Sequence, residues 1–140
     1  MKISTKGRYA LMLMLDLAIY NTGNPVRLKD VAKRQQISEK YLEQIIPTLS
    51  KAGFVKGLRG PQGGYMLKNA PKDYTVGMIL RQTEGSLTPV EYDDDSVQER
   101  EFVMVRIWEQ LNEAINHVVD NITLEDLVEW QTEQISQYVI

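Results

Sequence analysis

The chain has 140 residues, 43% of them hydrophobic and 25% charged, which suits one folded domain, or a small domain with an appendage, and argues against disorder. It contains no cysteine, which excludes disulfides, thiol chemistry, cysteine-bound zinc and cysteine-ligated iron–sulfur clusters. The net charge of −3 is unevenly spread: residues 1–72 hold 13 basic and 4 acidic side chains, and residues 73–140 hold 3 and 15. A basic front half with an acidic rear half favours a polyanionic partner.

The first twenty residues place basic side chains before an apolar run, as a signal peptide would. Asp16 interrupts that run, however, and no small-residue cleavage site follows, so we expect a cytoplasmic protein. No stretch approaches the roughly 18 apolar residues that a membrane span needs. The run instead predicts a first helix, capped by Ser4 or Thr5 and ended by "NTGNP" at residues 21–25.

Two short helices with a tight connection come next. The spacing of apolar residues predicts one helix over residues 28–34 and a second over 39–52, with Ser38 as the N-cap of the second and Gly53 at its end. This order is typical of a helix-turn-helix. Pro47 lies within the second helix, where we expect it to bend the axis.

The stretch "GLRGPQGGYML" at residues 57–67 reads as a hairpin turn between two strands, 54–59 and 64–69. It lacks the spacing of a P-loop or a dinucleotide fingerprint. A hairpin directly after the helix-turn-helix predicts a wing, whose glycines would let the backbone approach a surface and whose Arg59 could enter a narrow A·T-rich minor groove. An idle tight turn is the alternative. The predicted wing residues are Arg59, Gly60, Gln62 and Gly63.

The second helix of the pair is the predicted reading helix. Its outward residues include types that hydrogen-bond base edges in the major groove, and scattered cations elsewhere could neutralise phosphates. Solvated surface residues are the alternative for both sets. The predicted base-reading residues are Ser38, Lys40, Tyr41, Glu43 and Gln44; the predicted phosphate contacts are Lys2, Lys6, Arg8, Lys29 and Lys56.

The rear half is predicted to be helical. Thr75 caps a helix over residues 76–83, a polar connection follows, a long helix runs from about 97 to 119, and Thr123 with Asp126 forms a capping box for the last helix. The long helix carries an apolar stripe that predicts packing against a second copy, although burial against its own domain is the alternative. The predicted dimerisation residues are Met104, Ile107, Trp108, Leu111, Ile115 and Val118.

The predicted fold is therefore mainly α with a small β-hairpin wing: a winged helix-turn-helix plus a long dimerisation helix. We expect a DNA-binding domain over residues 1–72, a connecting helix and loop over 73–96, and the dimerisation and C-terminal helices over 97–140. His117 is the single histidine and has too few potential ligands nearby for a metal site. With no nucleophile–base pair evident either, we expect neither an enzyme nor a cofactor.

Five segments, taken together, resemble the bacterial Rrf2 family of winged helix-turn-helix regulators: "MKISTKGRYAL", "SEKYLEQI", "KAGFVKGLRGPQGGYML", "TEG" and "ITLEDL". The resemblance spans nearly the whole chain. It implies a homodimer that binds palindromic double-stranded DNA and represses or activates transcription. It also implies that Ser38, Tyr41, Glu43 and Gln44 act in the reading helix and Arg59 in the wing.

One departure from the family pattern matters. Cluster-binding members carry three cysteines between the fourth and fifth helices, where this chain has none. The resemblance is thus to the cluster-free branch, which includes a repressor of cysteine metabolism with cysteine synthase as its partner. The C-terminal residues Tyr138, Val139 and Ile140 resemble the tail with which serine acetyltransferases dock into cysteine synthase. A packed or frayed terminus is the alternative.

Two other functions remain compatible with the sequence. A protein-interaction module could have kept this fold without binding DNA, using its acidic rear half as the working surface. Alternatively, the DNA-binding regulator could respond to a small metabolite that binds directly near the dimer helices.

Overall fold

The computed structural model describes residues 2–91 and 101–138. Within these ranges the fold is mainly helical with one two-stranded antiparallel hairpin, as the sequence predicts. The elements in chain order are α1 Thr5–Ile19, α2 Leu28–Gln35, α3 Glu39–Lys51, β1 Val55–Leu58, β2 Gly64–Leu67, α4 Val76–Glu84, α5 Phe102–Asp120 and α6 Leu124–Tyr138, with a 3-10 turn at Pro71–Asp73 between β2 and α4.

The helix boundaries follow the predicted caps. The Ser38 hydroxyl accepts a hydrogen bond from the Tyr41 amide at 3.0 Å, which satisfies one of the free N–H groups at the start of α3. The predicted capping box of α6 is also present: the Thr123 amide donates to Asp126 Oδ2 at 2.9 Å, and the Asp126 amide donates to Thr123 Oγ1 at 3.1 Å. Helix α3 continues through Pro47 to Lys51.

A single cluster of buried side chains holds the helix-turn-helix, the wing and part of the rear half together. Helix α1 runs through its centre and packs against α2, α3, α4 and α6. The α6 residue Leu124 is fully buried in the same cluster, so the start of α6 is anchored on the front half. The fully buried side chains include Leu13, Met14, Leu17, Val31, Leu42, Ile45, Leu49, Val55, Tyr74, Ile79 and Leu124.

One charged group lies inside this apolar cluster. The Asp16 side chain is completely buried and accepts hydrogen bonds from Arg34 Nε at 3.0 Å, Arg34 Nη2 at 2.8 Å and Gln35 Nε2 at 3.0 Å. The Arg34 guanidinium also stacks 3.9 Å from the centre of the Tyr20 ring. The hydrogen bond to Asp16 raises the pKa of Arg34 above its ordinary value. Asp16 therefore fixes the end of α2 to α1.

Helix α5 is attached quite differently. Not one of its residues is buried, and several of its apolar residues face outward, with Val103 69% exposed and Val118 54% exposed. Among the described residues, backbone bonds hold the segment just after its C-terminal end: the Val76 amide donates to Ile122 O at 2.8 Å and the Leu124 amide donates to Tyr74 O at 3.0 Å. The predicted start of this helix, at residue 97, lies outside the described residues.

We expect Asp16→Ala to destabilise the fold by about 3 kcal/mol, because it leaves the Arg34 and Gln35 donors without their buried acceptor. The cost should lie at the low end for buried pairs, since the Arg34 side chain is 32% exposed. Urea unfolding followed by circular dichroism measures it, with the exposed Asp73→Ala as the matched control. A loss below about 1 kcal/mol would contradict this account of Asp16.

Candidate nucleic-acid interface

The outer face of α3 carries most of the predicted base-reading residues. Leu42, Ile45, Ile46 and Leu49 face the core, as predicted. This orientation leaves four of the five predicted side chains exposed on the other face, namely Ser38, Lys40, Glu43 and Gln44. They provide donors and acceptors on one exposed surface of a helix, which is what direct reading of a major groove requires.

Tyr41 differs from the other predicted reading residues. Its side chain is half-buried, and its ring makes an edge-to-face contact with Tyr9, with 5.2 Å between the ring centres. The contact holds the first turns of α1 and α3 next to each other. Consequently Arg8 and Lys40, which flank the two rings in sequence and are both exposed, belong to neighbouring helix ends.

The hairpin predicted as a wing is present, with Val55 opposite Leu67 and Leu58 opposite Gly64. Its strands are shorter than the predicted 54–59 and 64–69. The loop between them carries three of the predicted wing residues in exposed positions, Arg59, Gly60 and Gln62, while Gly63 is half-buried. Arg59 therefore lies in the turn at the tip of the hairpin.

The wing has a third stretch of backbone that the sequence analysis missed. The Val26 amide donates to Tyr65 O and the Tyr65 amide donates to Val26 O, both at 2.8 Å. Next to this bridge, Arg27 Nη2 donates to the carbonyl of Pro61 in the wing loop. The segment before α2 thus fixes the wing from the side. The extended "PV" before the helix gave only a weak signal for this pairing.

The backbone geometry of the wing loop requires glycine at two positions. Gly60 has a φ of 105°, which side chains disfavour. A Cβ on Gly63 would lie 2.1 Å from the carbonyl oxygen of Leu58, inside any allowed contact. The hairpin geometry itself therefore requires both residues, beside any close approach to an outside surface.

The predicted phosphate contacts lie on three parts of the front half. Lys2 precedes α1, Lys6 and Arg8 lie in its first turns, Lys29 is on α2 and Lys56 is on β1. All are exposed except Lys6, which is half-buried.

The start of α1 is held by a carboxylate from α4. The Ser4 amide donates to Glu84 Oε1 at 2.5 Å, and the Ser4 hydroxyl donates to Glu84 Oε2 at 2.7 Å. Partial burial raises the pKa of Glu84, but the hydrogen bonds from Ser4 and Thr83 and the charge of Lys6 outweigh that effect and lower the pKa below its ordinary value. Glu84 therefore positions the segment that carries Lys2 and Lys6.

The predicted dimerisation residues form one apolar stripe on α5. Met104, Ile107, Leu111 and Val118 are exposed, and Trp108 and Ile115 are half-buried. Four of the six residues of the stripe are thus exposed in the single chain, and the other two are partly covered by it. At the C-terminus, Val139 and Ile140 of the predicted partner tail lie outside the described residues.

Two further properties bear on function. Within residues 2–91 and 101–138, no helix is long and apolar enough to cross a membrane. The same residues contain no group of three histidine, aspartate or glutamate side chains that could hold a metal ion.

Comparison with known proteins assigns the fold and surface to a family. Residues 3–130 match the family model Rrf2, described as an iron-dependent transcriptional regulator. The HTH-type transcriptional regulator CymR of Bacillus subtilis is 41% identical over 140 residues, covering 99% of this chain and 98% of that protein. The chain belongs to the Rrf2 family of winged-helix, DNA-binding transcription regulators.

Solved structures agree with this assignment. The structure of CymR, the global cysteine regulator of B. subtilis, superposes with a TM-score of 0.79 at 42% identity, covering 93% of this chain and 98% of that one. The IscR structure from T. potens also gives a TM-score of 0.79, at 43% identity, covering 96% of this chain and 90% of that one. These relatives are named as transcription regulators, not as enzymes.

The family description mentions iron, and the donor set can be tested against it. Iron–sulfur clusters are held chiefly by cysteine thiolates, and these 140 residues include no cysteine. The residues present do not fit a cysteine-ligated cluster.

We expect the contact between Glu84 and Ser4 to make stability depend on acid. Because the folded pKa of Glu84 is lowered, its contribution is complete above the unfolded value of about 4.3 and is lost as the pH falls through the folded pKa. Glu84→Gln should cost about 1 kcal/mol at pH 7. The difference from the wild type should shrink below about pH 4.3.

Urea unfolding of both proteins between pH 3 and pH 7 measures this difference. Glu91→Gln, an exposed acidic residue on the connection after α4, is the matched control and should leave the curve unchanged. A difference between wild type and Glu84→Gln that is constant across the whole range would contradict the assigned role.

Proposed function

We propose that this protein is a homodimeric repressor that binds a palindromic operator without an iron–sulfur cluster and controls genes of cysteine or sulfur metabolism. Three features together carry the proposal: an exposed face of α3, a wing with Arg59 in the turn at its tip, and an apolar stripe on α5 that is largely exposed in the single chain. The similarity to a regulator named for cysteine control supports the choice of genes.

The stripe on α5 supports a second copy of this chain as its occupant. Ile107 and Leu111 are each 43% exposed and Met104 is 47% exposed, on a helix that has no buried residue. An apolar row of this length on one helix is unfavourable in water and is suited to pairing with an identical row around a two-fold axis. A symmetric dimer would present two reading helices to a palindrome.

Within each subunit, different residues would contact different parts of the DNA. Ser38, Lys40, Glu43 and Gln44 would meet base edges in the major groove, while Tyr41 would mainly hold the helix against Tyr9. Arg59 would enter the minor groove at A·T-rich flanks, where the negative potential is strongest. The cations Lys2, Lys6, Arg8, Lys29 and Lys56 would contact phosphates and set the register.

Selection of bound sequences from a random duplex pool, with purified protein at moderate salt, tests the proposal. An enriched palindrome supports a DNA-reading dimer and gives its operator. Absence of enrichment, also after addition of cysteine synthase, would favour the protein-interaction module. Repeating the cysteine synthase arm after deletion of Val139 and Ile140 tests the tail as the docking segment, and unchanged enzyme binding would reject it.

A directly bound small-molecule effector is a second candidate, favoured by one observation. A cavity of about 510 Å³ lies between the segment before α1, the end of α4 and helix α5. Lys2, Ser86 and Thr88 supply polar groups there, and Leu80 and Ile115 supply apolar ones. Ser86→Trp should fill this cavity with the larger side chain. A metabolite that alters the operator affinity of the wild type but not of Ser86→Trp would establish the effector.

We expect Arg59→Ala to weaken binding about tenfold on operators with A·T-rich flanks and much less on operators with G·C-rich flanks, because only the narrow groove attracts the guanidinium strongly. Fluorescence anisotropy with the two operator types measures the ratio. Lys56→Ala is the matched control, which should weaken both equally and reduce the salt slope by about 1. Equal losses for Arg59→Ala would make it a simple phosphate contact.

We expect Leu111→Glu to raise the dimer dissociation constant about 100-fold or more, because it introduces a charge into the apolar stripe. Sedimentation equilibrium measures the constant, and DNA affinity should fall with it. His117→Glu adds the same charge to an exposed position of α5 outside the predicted stripe and should leave the dimer intact. A monomeric wild type would reject the dimer.

A further inference from the structure

The side of α5 that faces its own domain is joined to α4 by polar contacts. Arg81 Nη1 donates to Asp120 Oδ1 at 2.6 Å, and Arg81 Nη2 donates to Asp120 Oδ2 at 3.1 Å and to Asn116 Oδ1 at 2.8 Å. One turn of α5 before Asn116, Asn112 Oδ1 lies 3.4 Å from Thr88 Oγ1, on the connection after α4. Asn112, Asn116 and Asp120 are spaced four residues apart and form one row along the helix.

The backbone of α4 leaves room for this bidentate pair. A Cβ on Gly77 would lie 2.2 Å from Asp120 Oδ1 and 2.6 Å from Arg81 Nη1. Any other residue at position 77 would therefore push the carboxylate and the guanidinium apart. The pairing lowers the pKa of Asp120 through the hydrogen bond from Arg81 and raises the pKa of Arg81 through the hydrogen bond to Asp120.

A cavity separates part of α4 from α5. Its volume is about 510 Å³, and the apolar residues that line it include Leu80, Leu87, Ile115 and Val119. No residue of α5 is buried. Among the described residues, backbone bonds between residues 74–76 and 122–124 hold the C-terminal end of α5, which is therefore its anchored end.

We propose that Arg81 is a positioning residue that fixes the angle of α5 and thereby sets the spacing between the two half-sites that the dimer can bind. The inference rests on the proposed function, because it requires α5 to be the dimer helix. A side chain that touches neither DNA nor the dimer stripe would then determine operator specificity.

The geometry of a helix makes this effect large. The 19 residues of α5 span about 28 Å. A tilt of about 7° at the anchored end moves the far end by about 3.4 Å, which is the rise of one base pair. Because the far half of α5 carries much of the dimer stripe, such a tilt moves the reading helices of the two subunits relative to each other.

The test uses the full-length dimer and a series of operators in which the half-sites found by selection are separated by the best spacing and by one or two base pairs more or fewer. We expect the wild type to prefer the best spacing by about tenfold over its neighbours, as for a mismatched base pair. Arg81→Gln should reduce this preference to about twofold or move the optimum by one base pair. Asp120→Asn and Gly77→Ala should act in the same direction.

Arg106→Gln is the matched control, since it removes an exposed arginine from α5 away from Asp120 and should keep the wild-type profile. Unfolding midpoints and dimer dissociation constants of all variants show whether fold and assembly survive. Because Arg81 and Asp120 are 35% and 43% exposed, we expect the loss of their ion pair to change stability little. A pair that only supported stability would leave the spacing profile unchanged.

The outcomes separate the two proposals. If the wild type selects no palindrome, the proposed function fails. If it does, and Asp120→Asn and Arg81→Gln both keep the wild-type spacing preference within twofold, the role of Arg81 is rejected. Should Arg81→Gln fail to fold, Asp120→Asn alone decides, because it keeps the arginine and removes only the charge of its partner.

Discussion

The structure depends on one buried carboxylate. Asp16 lies in the middle of α1, surrounded by apolar side chains, and its hydrogen-bond partners among residues 2–91 and 101–138 come from the end of α2, Arg34 and Gln35. A charge in such a place is tolerated only when its partners are held in a fixed geometry. That requirement ties α2 to α1. The orientation of α3, which packs on both helices, follows from it.

Helix α1 also contacts the start of α3 and the end of α4. Tyr9 packs on Tyr41 and so fixes the start of the reading helix, and Ser4 is held by Glu84 of α4. The wing is attached separately, through the backbone bridge between Val26 and Tyr65. The Tyr74 hydroxyl also donates to Phe54 O at 2.7 Å, just before the first strand. Helix α3 and the wing are thus held together by one core, and polar contacts of Arg81 join α5 to α4.

This contrast suits a regulator. A packed core keeps the predicted base-reading side chains in place, because apolar interiors tolerate little displacement. The contacts of Arg81 are half exposed, and exposed ion pairs contribute little to stability. A substitution of Arg81 should therefore leave the packed core, and with it the exposed face of α3, intact. The cavity beside α5 lies where a bound molecule would contact both α4 and α5.

The sequence alone determined the helices, their caps and the hairpin, because apolar spacing and residues such as Ser38, Thr123 and Gly53 act locally. It also predicted the exposed stripe of α5, and the absence of cysteine by itself excluded a cysteine-ligated cluster. Only the tertiary structure decided that Asp16 meets Arg34, that Tyr41 packs on Tyr9, that Val26 joins the wing and that Arg81 holds α5. These contacts join residues distant in sequence, so no local pattern encodes them. They arise because buried or crowded polar groups must find partners once the chain is compact.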